Sequence, residues 1–314
     1  MIRYLVTRLL YALPTLLAVL TLVFVLVRVV PGDPALVIMG DQATPEALRE
    51  LRAKIGLDQP IWQQYLSFMA QVLSGDLGRS LITNRPILTD VASVLPFTLE
   101  LTIAALAIGV IGGVPLGVIA ARRRDGFGDW VARTVSLVGL SFPAFVSGIL
   151  MLMVFAIQLR WFPVISRGWP LDEPFERARS LALPALNLGL IMIAYVTRVT
   201  RSGMLKALSE DYVRTARAKG VPARLVVWRH GFRNVLIPIV TVIGLYFGVL
   251  IGNSVLTEIV FNRPGLGKLI IGALEKRDYT MLQGLMVIYA FIIVLVNLVT
   301  DLAYGFVDPR VKTT

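Results

Sequence analysis

Cysteine is absent from the 314 residues, histidine occurs once, and charged side chains make up only 16% of the chain. Without cysteine there are no disulfides, thiolate metal sites or cysteine nucleophiles. The lone His230 reads as a surface or contact residue. No metal-ligand spacing, nucleophile elbow or phosphate-cradling loop is present. There is also no chain of carboxylates and histidines such as a proton-coupled pump requires. The expectation is a protein that is not an enzyme, with no catalytic or metal-binding residue and no cofactor of its own. If it performs active transport, the energy source sits on another chain.

The scarcity of charge also sets the solvent. A soluble domain carries roughly a quarter charged residues, whereas this chain is 56% hydrophobic. Several apolar runs reach the ~20 residues needed to cross a bilayer as a helix, and helices satisfy their own backbone groups in lipid. The fold class expected is an all-α polytopic membrane protein with six transmembrane helices: Leu9–Val30, Thr98–Ala121, Thr134–Leu159, Leu181–Thr200, Val235–Val260 and Leu282–Phe306. The first run is too long for a signal-peptide core and lacks a small-x-small cleavage site, so it reads as a retained span.

Lysine and arginine are densest in the short loops "RRRDGFGDWVAR" and Arg198–Arg233. These loops are therefore assigned to the cytoplasm, and so are both termini. The net charge of +11 is explained by this face and by anionic lipid, not by nucleic acid. The organisation expected is residues 1–30 for the N-terminus and first span and 31–97 for an external helical segment. Residues 98–306 form a five-helix core that includes a cytoplasmic loop, 201–238, and 307–314 form a cytoplasmic tail.

The external segment opens on "PGDP", which breaks the first span. "TPEALRELRAKIGL" then reads as a helix with Thr44 at its cap and Pro45 in its first turn. "IWQQYLSFMAQVLSG" places Trp62, Tyr65, Leu66, Met69 and Leu73 on one stripe. The pair is expected to lie on the membrane surface, aromatic side down, with a substrate-contacting cap as the alternative. In the second external loop, Trp161, Phe162 and Trp169 are expected at headgroup level.

Two glycine series recur at every fourth residue: Gly109, Gly113 and Gly117 in the second span, and Gly244, Gly248 and Gly252 in the fifth. Each occupies one helix face and admits a close neighbour. Static packing and a sliding surface beside a translocation pathway both fit this spacing. Few polar residues accompany them. Glu258 lies near the outer end of the fifth span, and Asn297 and Asp301 share a face of the last.

The oddest segment is "EDYVRTARAKGVPARLVVWRHGFRN", which is basic and helix-prone between two apolar runs. Pro222 divides it. One helix is expected near Met204–Lys219, closed by Gly220, with Glu210 and Asp211 nearer its start and Arg217 and Lys219 in its last turn. Such a short helix is marginal alone and needs a surface, either the inner leaflet or a partner's groove.

"DYVRTARAKG" followed by "RNVLIP" resembles the EAA loop of ABC importer permeases. The closest resemblance is to the dipeptide, oligopeptide and nickel permease group with its glutathione importers. It extends over nearly the whole chain through "VVPGDPA", "KIGLDQPIWQQY", "GDLGRS", "SFPAF", "SEDYVRTARAKGV", "LIPIVT", "FNRPGLGKL", "RDYTMLQG" and "DPR". Arg214 stands where the general pattern has its first Glu, and Thr215 replaces its first Ala. The resemblance implies a type I ABC importer permease fold in a bacterial cytoplasmic (inner) membrane. It also implies a coupling element formed by Glu210, Asp211, Tyr212, Arg214, Thr215, Ala216, Arg217, Ala218, Lys219 and Gly220. The implied partners are a second, homologous permease, two cytoplasmic ATPases carrying ATP and Mg, an external substrate-binding protein and membrane lipid. The implied function is half of a translocation pathway for dipeptides, oligopeptides or a related small solute. A stand-alone secondary transporter or channel is the alternative, and it should show paired broken helices with ion-coupling residues in the membrane.

Overall fold

The computed structural model describes residues 2–29, 34–39, 44–54, 56–166 and 173–307. Val30, Pro31–Asp33, Ile55, Trp169 and the tail from residue 308 onward lie outside the described residues. Helices dominate and run in the order α1 (Ile2–Val29), α2 (Pro34–Met39), α3 (Pro45–Lys54), α4 (Ile61–Leu73), α5 (Ile87–Arg122), α6 (Phe127–Ser141) and α7 (Ala144–Met151). They continue with α8 (Pro174–Ser209), α9 (Asp211–Ala218), α10 (Ala223–Leu225), α11 (Leu236–Val260), α12 (Leu266–Glu275) and α13 (Tyr279–Val307). Among the described residues, five helices are long and apolar enough to cross a membrane, and the bent pair that begins with α6 and α7 makes six if counted as one span. Large apolar side chains such as Ile111, Leu245 and Leu295 are exposed, as lipid as the solvent requires.

Three spans differ from the expected form, the second because α5 begins at Ile87, eleven residues before Thr98. Thr134–Leu159 is not one straight helix. Its two halves meet at 102°, because Phe142 precedes Pro143 and takes an extended backbone, φ −98° and ψ 130°. The proline ring disfavours the helical region for the residue before it. The fourth span is longer than expected. Helix α8 runs unbroken over 36 residues to Ser209, about 54 Å at 1.5 Å per residue. It therefore takes in Met204–Ser209, which the sequence assigns to a separate loop helix. The break falls at Glu210, whose ψ of 151° is extended.

The chain forms two compact units. One comprises the described residues of Val6–Pro96 with Gly265–Leu295. In it, Phe68 and Val72 of α4 pack against Leu20, Val23 and Phe24 of α1. Thr21 Oγ1 and Tyr65 Oη lie 2.7 Å apart. The expected aromatic stripe is thus divided: Tyr65 and Met69 pack on the cluster built with α1, while Trp62, Leu66 and Leu73 stay exposed. A second cluster joins Ile87 and Val91 to Leu266, Met281, Leu282 and Leu285. Asp278 ties its edge, accepting from Ser80 Oγ at 2.5 Å and from the N–H groups of Leu81 and Met281 at 3.1 and 3.0 Å.

The other unit comprises the described residues of Met1–Leu5, Phe97–Pro264 and Val296–Thr314. Helix α8 is its axis, with buried Leu188, Met192 and Val196 against Leu101 and Ala105 of α5 and Leu250 of α11. Further along, Met204 and Ala207 pack with Val118, Ala121, Val227, Val235 and Ile239. All features discussed below belong to this unit.

Candidate functional site

Helix α9 is eight residues long, too short to persist alone in water. It is held by its inward stripe. Val213 and Ala216, three apart, are buried against Val226, with Leu208 and Val221 beside them. Its end is closed by a Schellman motif: Val221 N–H reaches the Ala216 carbonyl at 3.1 Å, and Gly220 N–H reaches that of Arg217 at 3.0 Å. Gly220 has φ +76°, a conformation that penalises any side chain with a Cβ. Tyr212 Oη accepts a hydrogen bond of 2.7 Å from Asn234 Nδ2. Asn234 sits in the 3₁₀ turn Phe232–Val235 that leads into α11. Helix α9 is thereby fastened to the end of α8 and to the start of α11.

The remaining positions of the predicted element are solvent-exposed, with Tyr212 turning its hydroxyl to Asn234. Glu210, Asp211, Tyr212, Arg214, Thr215, Arg217, Ala218, Lys219 and Gly220 are exposed. Among the ten residues named from sequence, Ala216 alone turns inward; it packs on Val226, so its small side chain seats the helix on its own protein. Asp211 and Arg214 pair at 3.5 Å in full solvent, a contact worth little. The exposed face is basic, with an alanine and a threonine among the cations.

One residue that anchors this end of the unit was not singled out in the sequence. Asp129, in the first turn of α6, is fully buried. It accepts from Arg201 Nε at 2.5 Å and Nη2 at 2.9 Å, from Arg133 Nη2 at 2.7 Å, and from the Asp125 N–H at 3.0 Å. Arg201 belongs to α8, about two turns before that helix ends at Ser209. The carboxylate thus clamps α6 onto the helix that bears α9, using the bidentate geometry in which guanidinium and carboxylate bind best. In the sequence this aspartate is one acid among several arginines, and only the fold shows which arginine reaches it.

A second polar cluster lies nearer the start of α8. Arg263, 1% exposed, donates to Glu100 Oε2 at 2.6 Å and to Ser166 Oγ at 3.1 Å. Arg177 Nε donates to Glu100 Oε1 at 2.7 Å. Both guanidiniums sit within 6 Å of the Phe97 ring centroid, at 5.7 and 5.9 Å. Glu258, also fully buried, accepts from Thr98 Oγ1 at 2.7 Å and Ser254 Oγ at 3.3 Å. "FNRPGL" is therefore the point where the chain leaving α11 is tied to α5 and α8.

The glycine series part company. Gly109, Gly113 and Gly117 lie against Met192, Val196 and Thr200 of α8, four residues apart on both helices. A Cβ on Gly113 would stand 2.7 Å from Val196 Cβ, and one on Gly117 would stand 2.6 Å from Thr200 Cβ. Thr197 Oγ1 reaches the Gly113 carbonyl at 3.3 Å. This face is a tight α5–α8 seam. Gly244 meets Thr300 of α13, but Gly248 and Gly252 meet nothing within 4 Å.

Comparison with known proteins follows this geometry. Residues 113–313 match the family described as Binding-protein-dependent transport system inner membrane component, and residues 1–102 match its N-terminal companion. The Glutathione transport system permease protein GsiC of Escherichia coli O6:H1 is 40% identical over 99% of both chains. The Dipeptide transport system permease protein DppB of Alkalihalophilus pseudofirmus is 37% identical over 99% of this chain and 100% of that one. Among solved structures, the inward-facing MetNI methionine ABC transporter superposes with a TM-score of 0.56 at 16% identity, covering 70% of this chain and 96% of that one. An amino acid ABC transporter superposes with a TM-score of 0.52 at 19% identity, covering 71% and 94%. The chain belongs to the family of binding-protein-dependent transport system inner membrane components.

Proposed function

We propose that this chain is one of two permease subunits of an ATP-driven importer for peptide-class solutes, and that α9 is its coupling helix. Two ATPases lie beneath it on the cytoplasmic side, where both of its termini also lie. A second, homologous permease completes the pathway, and an external binding protein delivers the cargo. Dipeptides and glutathione are the first cargoes to test, because the GsiC and DppB relatives carry those names.

The observation that carries this reading is the two-sidedness of α9. Its inward stripe is bolted to the ends of α8 and α11 through Val213, Ala216 and the Tyr212–Asn234 hydrogen bond. Its outward side, with Arg214, Thr215, Arg217 and Ala218, is exposed. A push on the exposed side is therefore delivered to two membrane helices at once. Low-energy rotation of α9 by itself is blocked, because it would expose Val213 and strain the turn at Gly220.

The test is ATP-dependent uptake of radiolabelled alanyl-alanine or glutathione into vesicles that contain this chain with its sister permease, ATPases and binding protein. Thr215→Glu combined with Ala218→Glu is expected to lower uptake at least ten-fold by placing two desolvated carboxylates in the docking face, a cost of several kcal/mol. Assembly in the membrane and the unfolding temperature of the chain should be unchanged, because both positions are exposed. Uptake at the wild-type rate by this variant would contradict the assignment of α9.

A further inference from the structure

Between α6 and α8, two turns before α9, lies an open cavity of about 650 Å³ that the coupling role leaves unexplained. This is the size of a small-molecule site. Four guanidiniums line it, from Arg124, Arg133, Arg198 and Arg201. Two carboxylates answer them. Asp129 takes Arg201 and Arg133, and Asp125 takes Arg133 at 3.0 Å and Arg124 at 3.5 Å. Neither carboxylate lines the cavity, and two positive charges are left over. Arg198, exposed on α8 and lining the cavity, is the cation with no hydrogen bond or ion pair among the described residues.

The hydroxyls in the wall do not compete for a ligand as donors. Ser136 Oγ gives its proton to the Ala132 carbonyl at 2.8 Å, Thr197 Oγ1 to that of Gly113 at 3.3 Å, and Ser202 Oγ to that of Val199 at 3.1 Å. Arg201 has two of its donors committed to Asp129. A molecule entering the cavity therefore meets the unspent donors of Arg198, backed by the surplus field of its neighbours. Ala132, Leu137 and Leu205 supply an apolar wall, which raises the strength of any charge-assisted bond formed there. A planar guanidinium of this kind binds a carboxylate or a phosphate through two parallel hydrogen bonds.

We infer that the cavity between α6 and α8 is an oxyanion-binding site, with Arg198 as its principal donor, for a small ligand bearing one carboxylate or phosphate group. Two sources offer that group: a soluble anion, including the carboxylate of a peptide, and the headgroup of an anionic phospholipid. Binding there fills the wedge between the two helices that the Asp129 clasp holds together.

The test uses the full chain in phosphatidylcholine nanodiscs and radiolabelled inorganic phosphate in equilibrium binding. Saturable binding at one site per chain is expected, weakened at least ten-fold by Arg198→Gln and by Leu137→Glu, which places a competing carboxylate in the cavity that Arg198 lines. Leu137 is exposed, so the second variant reports on the site even if the first folds poorly. Arg198→Lys should retain part of the affinity. Repeating the measurement in nanodiscs containing phosphatidylglycerol identifies the source. Phosphate binding lost in that lipid assigns the site to a headgroup, and binding retained assigns it to a soluble anion. Absence of saturable phosphate binding in phosphatidylcholine, or equal binding by wild type and Leu137→Glu, overturns the inference. The assay contains no ATP, ATPase or binding protein, so its failure leaves the importer assignment standing, and failure of uptake leaves the anion site standing.

Discussion

Asp129→Ala is expected to destabilise the chain by about 3 kcal/mol or more, because it strands a nearly buried Arg201 without its carboxylate. The replaced side chain is 1% exposed and Arg201 is 21% exposed, so the stranded guanidinium regains only part of its hydration, through the open cavity that it lines. Arg133 loses less, since it is half in solvent and keeps Asp125. Thermal unfolding of the purified chain in detergent reads the loss directly. The companion variant, Asp129→Leu with Arg201→Leu, removes both charges and is expected to recover at least half of the stability, since an apolar pair replaces a buried ion pair with little net cost. If the single variant unfolds at the wild-type temperature, Asp129 is not the clamp that the geometry describes.

Gly113→Leu is expected to have an effect of similar size from a different cause. Any Cβ at this position falls 2.7 Å from Val196 Cβ and 3.0 Å from the Ile193 carbonyl oxygen. The second of these is backbone and does not swing aside. The α5–α8 seam must open along its length, and lipid gives no hydrophobic drive to close it again; packing contact alone holds the two helices together. Overpacking of this kind costs about 1–3 kcal/mol, and more where backbone is the obstacle. At Gly248, on the other series, an added Cβ meets nothing within 4 Å, and Gly248→Leu should change the unfolding temperature of the isolated chain little. Equal losses at the two positions would contradict the contact account, because leucine is the better helix former and propensity alone gives no loss at either.

The glycine contrast also shows how far the sequence could be read. Period four in Gly109, Gly113 and Gly117 identified a close-approach face because the spacing of a helix is fixed by its backbone. The same period in Gly244, Gly248 and Gly252 gave the same signal, yet only Gly244 has a neighbour here. What a face touches depends on the helix brought opposite it, and that is a long-range property. The spans were legible for a related reason, since apolar length is local. The bend at Phe142–Pro143 was also signalled locally, by the proline in "SFPAF", but the long apolar run around it read as a single helix. The continuation of α8 to Ser209 was concealed by charge. Arg198, Arg201 and Lys206 mark the end of the membrane, but not the end of the helix.

The coupling segment followed the same rule. Gly220 announced its left-handed turn, and Pro222 announced the start of the next helical stretch. The face of α9 that would be buried was less clear. Uninterrupted helical spacing from α8 would place Leu208, Tyr212, Thr215 and Lys219 roughly on one face, whereas the structure buries Val213 and Ala216. The break at Glu210 resets the helical phase, so positions before and after it do not share one wheel. Asp129, Glu100 and Arg263 were missed as sites because each is an ordinary charge until its partner, from 72 to 163 residues away, is placed beside it.

The most direct test of coupling through α9 uses the absence of cysteine from the natural sequence. Single variants Thr215→Cys, Ala218→Cys and Ala216→Cys, assembled with the sister permease and ATPases in membrane vesicles, are treated with a short cross-linker that joins a thiol to an amine. The account predicts adducts with an ATPase subunit from Thr215→Cys and Ala218→Cys, at yields that change between ATP-bound and nucleotide-free states, and none from the inward Ala216→Cys. An assembled, uptake-competent complex that yields no ATPase adduct from either outward position in any nucleotide state would contradict it.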